Sequence, residues 1–94
     1  MSGGGDVAAR RATVHGRVQG VFFRHSALER ARSLGVAGWV RNTERGTVEL
    51  HAEGAPDAVD ALVRWAHRGP AGADVQRVDV DEVEPEGLGG FEVR

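Results

Sequence analysis

From Arg10 to Gly16 polar residues alternate with small or apolar ones, Arg11, Thr13 and His15 against Ala12 and Val14. That two-residue period predicts a strand with one face buried. After a loop over Gly16 to Val21, the positions Phe23, Ala27, Ala31 and Leu34, with Leu28 beside them, recur at helical spacing, and Gly35 supplies a left-handed C-terminal stop. Val36 to Asn42 and Thr47 to Glu53 read as two strands joined by Thr43-Glu44-Arg45-Gly46, a hairpin loop ending in glycine, and they are expected to pair antiparallel. Pro56 and Asp57 suit the first turn of a second helix. Its stripe is Val59, Leu62, Val63 and Ala66, and Arg68-Gly69-Pro70 closes it with a cation, a stop and a breaker. Val75, Val78, Val80 and Val83 form a further strand with a slip in its register, and Phe91 with Val93 forms a short last strand after the Gly87 to Gly90 loop.

This order, strand-helix-strand-strand-helix-strand, predicts an α+β fold of the ferredoxin-like (βαββαβ) type, an antiparallel sheet with two helices on one face. Residues 1–9 read as a flexible N-terminal tail, because successive glycines gain nothing from packing and lose the most entropy on ordering. Residues 10–94 form one domain. No internal repeat or linker interrupts it.

Composition narrows the function. Among 94 residues there is no cysteine, which removes disulfides, zinc-thiolate sites and every cysteine-nucleophile mechanism. A net charge of -2 argues against a general nucleic-acid or anionic-membrane binder, so any anion site is local. No apolar run approaches the ~20 residues of a membrane span, and the Gly-rich, acidic start is unlike a signal peptide. A cytoplasmic location and a monomeric state are the expectations.

The stretch Gly16-Arg17-Val18-Gln19-Gly20-Val21-Phe22-Phe23-Arg24 lies between a strand and a helix, where unpaired backbone N–H groups and the positive end of the helix dipole converge. Gly16 and Gly20 permit the close approach that lets successive amides turn inward as a nest, and Arg24 can add a two-pronged guanidinium contact to phosphate oxygens. A phosphate-sized anion is the natural guest. The string fails the nucleotide P-loop test, because no Gly-Lys-Ser/Thr follows the second glycine, and it fails the dinucleotide test on spacing. Two glycines and an arginine by themselves also make an ordinary strand-to-helix turn.

The full string carries more. Val14-x-Gly16-x-Val18-Gln19-Gly20-Val21-x-Phe23-Arg24 resembles the first signature of the acylphosphatase family. Gly38-Trp39-Val40-Arg41-Asn42, then Gly46-x-Val48, then Gly54, is similar to its second. The resemblance covers essentially everything after the tail. It implies hydrolysis of acyl phosphates to carboxylate and inorganic phosphate without metal or cofactor, with Arg24 and the amides of Val18, Gln19, Gly20 and Val21 binding the phosphoryl oxygens and Asn42 orienting the attacking water.

The chemistry of the substrate agrees with so sparse a site. An acyl phosphate has a leaving group whose conjugate acid has a pKa of about 4 to 5, near that of a side-chain carboxyl, so no general acid is required. Holding the phosphoryl group, spreading its charge over positive donors and placing one water in line suffice. An amide such as that of Asn42 accepts from water and donates to a phosphoryl oxygen without repelling a dianion, as an aspartate would. The contacts grip the phosphoryl group common to all such substrates, so broad acyl specificity is expected.

Other residues read more plainly. His15 and His25 flank the loop and are read as solvent-facing or hydrogen-bonding rather than as a phosphohistidine or an acid-base pair. His51 and His67 are read as surface positions, without metal-ligand spacing. Thr43 is a candidate support for Asn42 through its hydroxyl. Trp39, Trp65, Phe22, Phe23 and Phe91 are assigned to core and site packing rather than to an RNA-stacking platform, and Asp79, Asp81, Glu82, Glu84 and Glu86 to a solvated strand face. The competing functions are a non-catalytic module of this fold that senses phosphate or carboxylate metabolites, and an accessory domain of a larger enzyme. The pairing of Arg24 with Asn42 argues against the first, and the short chain favours a stand-alone enzyme over the second.

Overall fold

The computed structural model describes residues 6–94. Its elements are β1 (Ala8–Arg17), α1 (Phe23–Leu34), β2 (Ala37–Asn42), β3 (Val48–Gly54), α2 (Pro56–Arg68), β4 (Asp74–Glu82) and β5 (Phe91–Val93). Of the expected tail, residues 1–5 lie outside the described residues. Ala8 and Ala9 belong instead to β1, paired with Gly54 and Glu53, and Ala9 is buried. Small side chains at these two positions continue the strand past the point where the alternation weakens.

The strands form one sheet in the order β4-β1-β3-β2-β5. Register decides which side chains face the helices. Ala12, Leu50 and Val40 stand opposite one another across β1, β3 and β2, and so do Arg11, His51 and Trp39. Because successive side chains alternate between faces, the first row and its neighbours Val14, Val48 and Ala52 share one face. They join the helical residues Phe23, Ala27, Leu62 and Trp65 in a single core. Both helices therefore cover that face. Phe23 meets Trp65 with ring centroids 5.2 Å apart in a tilted arrangement. Each fully buried Leu or Val here contributes about 1.5–3 kcal/mol relative to exposure.

The expectation of a purely antiparallel sheet is corrected in one place. β5 runs parallel to β2, with Gly38 opposite Phe91 and Val40 opposite Val93. Direction explains it. β4 is antiparallel to β1, as β3 is to β1 and β2, so β4 ends at the level where β2 begins. The segment after β4 crosses the sheet on the face away from the helices and starts β5 at that same level, which leaves a parallel neighbour as the only outcome.

The slip anticipated among the valines of β4 is a bulge. His15 pairs with Arg77 but Gly16 with Val75, so Gln76 is passed over. Val75 and Val78, three apart, thereby both pack against the core. Gly16 makes this possible: its φ is +127°, and a Cβ there would sit 2.1 Å from the Asp74 main-chain oxygen.

The crossing segment also overturns one surface assignment, that of His51. Glu53 accepts from the backbone N–H groups of Glu86 and Leu88, both at 2.7 Å, and this strap closes over the far face of the sheet. His51, read from sequence as a surface residue, is fully buried beneath it. Its ring stacks on Trp39 with centroids 5.7 Å apart, and its Nε2 lies 2.8 Å from a Glu53 oxygen. Glu86, assigned to the solvated face and end of a strand, is exposed but lies beyond β4, where it accepts from Trp39 Nε1 at 3.2 Å and from Arg11 at 3.1 Å. Burial alone would raise the Glu53 carboxyl, but the hydrogen bonds from His51 and the two amides, with the charge of His51, leave it below its ordinary value.

Candidate active site

The segment between β1 and α1 is held at both ends. Val18 is buried in the core, and Val21 packs against it. Between them Gly20 takes φ +75°, with open space where a Cβ would project. The chain then enters α1 through Phe22, whose φ of 61° is also left-handed. Phe22 makes no side-chain cap, and the first turn of this 12-residue helix carries no acidic residue. The helix N-terminus consequently keeps its donors and its positive end of the dipole for an outside group.

Arg24 stands in that first turn. Asn42 ends β2, opposite Val48 and in the alternation of Val40, which places it on the helix-covered side at the edge of the core. The two come together. Val18, Gly20, Arg24 and Asn42 line one concavity of about 480 Å³, with Phe22 and Val93 also on its wall. Arg24 Nη1 donates to the main-chain oxygen of Arg94 at 3.1 Å. The Arg94 amide in turn donates to Val40 at 2.8 Å, so β2 braces the arginine that faces its own Asn42.

Gln19, assigned from sequence only through its backbone, has a further part. Its side-chain nitrogen donates to the main-chain oxygens of Thr43 and Thr47, both at 2.9 Å. This ties the glycine-containing loop to the hairpin that begins where Asn42 ends. The signal was present in the sequence as a two-donor amide between two apolar anchors, but its acceptors lie in a different hairpin and only the fold identifies them.

Thr43 does not reach Asn42 in the manner considered from sequence. Its hydroxyl meets that of Thr47 at 2.6 Å and accepts from the Arg45 amide at 3.2 Å, so it shapes the hairpin. Gly16 likewise acts away from the cavity, at the bulge with β4. Phe22, grouped from sequence with the aromatics of core and site packing, takes the second of those roles: it is 80% exposed and lies on the cavity wall. His15 is engaged by Asp79 at 2.9 Å across β4, and His25 by Glu29 at 3.4 Å. His67 contacts the Val63 carbonyl one turn back along α2. Among the described residues no three His, Cys, Asp or Glu side chains converge as a metal site.

A glycine-containing strand-to-helix loop, an arginine in the first turn and an amide at the end of another strand thus meet in one cavity of a ferredoxin-like fold. The family model for acylphosphatase matches residues 10–93. An acylphosphatase of Thermococcus kodakarensis is 59% identical over 80 residues, spanning 85% of this chain and 88% of the relative. One of Anaeromyxobacter dehalogenans is 54% identical over 90 residues, spanning 95% and 97%. In three dimensions an acylphosphatase from Coxiella burnetii superposes with a TM-score of 0.91 at 40% identity, over 95% of this chain and 94% of the other. The chain belongs to the acylphosphatase family.

Proposed function

We propose that this protein hydrolyses the carboxyl–phosphate bond of small acyl phosphates by direct attack of water on phosphorus. The observation that carries the reading is the meeting of Arg24 and Asn42, from two separate elements, in one cavity at the uncapped start of α1. Arg24 and the amides of Val18, Gln19, Gly20 and Val21 hold the phosphoryl oxygens and spread their charge. Asn42 accepts one hydrogen bond from the water and aims its oxygen at phosphorus. The water oxygen bonds to phosphorus as the bond from phosphorus to the acyl oxygen breaks. The carboxylate leaves with the electron pair, and the water's proton passes to a phosphoryl oxygen. No step asks for a metal, a cofactor or a covalent intermediate.

The partners on this reading are acyl phosphates and inorganic phosphate. The protein works as a cytoplasmic monomer without contact to nucleic acid. The monomer is supported by charge on the edge strand β4, where Asp79, Asp81 and Glu82 discourage pairing with another sheet. The test is phosphate release from acetyl phosphate in excess chelator. Turnover is the expected result; binding of inorganic phosphate without turnover would favour the non-catalytic module instead.

A further inference from the structure

Among the described residues four large hydrophobic side chains are exposed: Val7, Phe22, Val80 and Val93. Two of them, Phe22 at 80% and Val93 at 42%, line the same concavity as Arg24 and Asn42. They reach it from different elements, one from the entry to α1 and the other from β5. Phe22 carries a second oddity. Among non-glycine residues described, it alone has a positive φ, in a region that bulky side chains rarely adopt. A phenylalanine that is both exposed and held left-handed gains nothing from the core, and such conformations concentrate where a ligand is bound.

We infer that Phe22 and Val93 form the contact for the acyl end of the substrate and that the site favours apolar, above all aromatic, acyl phosphates. The inference rests on the acyl-phosphate reading and names its substrate class. Once Arg24 and the loop hold the phosphoryl group and Asn42 holds the water, the acyl oxygen must depart on the side of phosphorus opposite that water. The acyl group therefore projects out of the polar part of the cavity, and the remaining wall on which it can rest is the apolar rim. A benzoyl ring covers Phe22 and Val93 from water, whereas an acetyl group is too short to do so. His25 also lines the cavity, with Glu29 3.4 Å from its ring, and that carboxylate disfavours acyl groups carrying their own negative charge.

The test compares kcat/KM for benzoyl phosphate and acetyl phosphate in the native chain, Phe22→Asn and Val93→Thr. Asparagine tolerates the left-handed backbone, and threonine keeps the shape of valine, so each change removes apolar surface while sparing the local conformation. The ratio of the two substrates within each protein, divided by that of the native chain, cancels their intrinsic reactivities. We expect the ratio to fall about fivefold in Phe22→Asn and about twofold in Val93→Thr, carried by KM for benzoyl phosphate. Inhibition by inorganic phosphate, which has no acyl end, reads the phosphoryl pocket separately and should not follow that pattern. Turnover of both substrates with an unchanged ratio in both variants overturns the inference and leaves the hydrolase intact. Failure of the native chain to hydrolyse either substrate overturns the hydrolase and the inference with it.

Discussion

The side-chain nitrogen of Gln19 lies 2.9 Å from the main-chain oxygen of Thr43, the residue that follows Asn42. A second bond of equal length to Thr47 makes the contact a clamp, with both amide hydrogens used. Two parts of the candidate site that come from different signatures are thus set against each other by the Gln19 side chain.

Gln19→Leu keeps the approximate volume and removes both donors. It removes one hydrogen bond from each carbonyl, while Thr43 still accepts from the Gly46 amide and Thr47 from the Thr43 amide, so stability should fall by about 1–3 kcal/mol for the two bonds lost. Misplacement of the water relative to phosphorus should lower kcat about 10- to 100-fold, with a smaller change in phosphate affinity. A loss of affinity with kcat preserved would assign Gln19 to phosphoryl binding instead. Steady-state kinetics with phosphate as competitive inhibitor separates the two.

The two glycines of the loop should respond differently to alanine. At Gly16 a Cβ would fall 2.1 Å from the Asp74 main-chain oxygen, which forces β1 and β4 apart as well as straining φ. A loss of about 3 kcal/mol or more is expected, visible in urea unfolding. At Gly20 the space is open, so only the left-handed backbone is penalised, by about 1–2 kcal/mol. Equal losses would mean that the bulge gives way more easily than its geometry implies.

The strap over the far face makes stability depend on acid. The Glu53 carboxyl is held below its ordinary value, so its folded-state pKa lies below its unfolded one. Its contribution is then complete above the unfolded value, near 4.5, and is lost as the pH falls through the folded value. Urea midpoints measured from neutral pH downward should decline in that acidic window. Glu53→Gln, which keeps the shape but offers one acceptor oxygen for two amides, should be destabilised by about 1–3 kcal/mol near neutrality and should show a shallower acidic decline. An unchanged slope would place the acid sensitivity elsewhere.

Much of this architecture is legible along the chain because each element has its own period and its own punctuation. Phe23, Ala27 and Ala31 mark α1, Gly35 stops it, and the alternation through Ala12 and Val14 marks β1. Arg24 and Asn42 stand in separate signatures, and the fold brings them into one cavity. What local pattern does not carry is the effect of distant chain on a face. Glu49, His51 and Glu53 alternate with Val48, Leu50 and Ala52 in the manner of a solvated strand side, yet the strap from Glu86 to Leu88 buries His51 and Glu53. The parallel placement of β5 has the same origin. Three residues give no direction by themselves, and only the crossing of the sheet decides it.

On the proposed mechanism Arg24 and Asn42 divide the labour, one holding the phosphoryl group and the other the water. The most direct test of that division measures turnover of an acyl phosphate and inhibition by inorganic phosphate in Arg24→Ala and Asn42→Ala, at temperatures where both remain folded. Both should lose turnover by about 100-fold or more, with phosphate inhibition weakened mainly in Arg24→Ala and largely kept in Asn42→Ala. Turnover retained in Asn42→Ala, or phosphate inhibition lost equally in both, would contradict it.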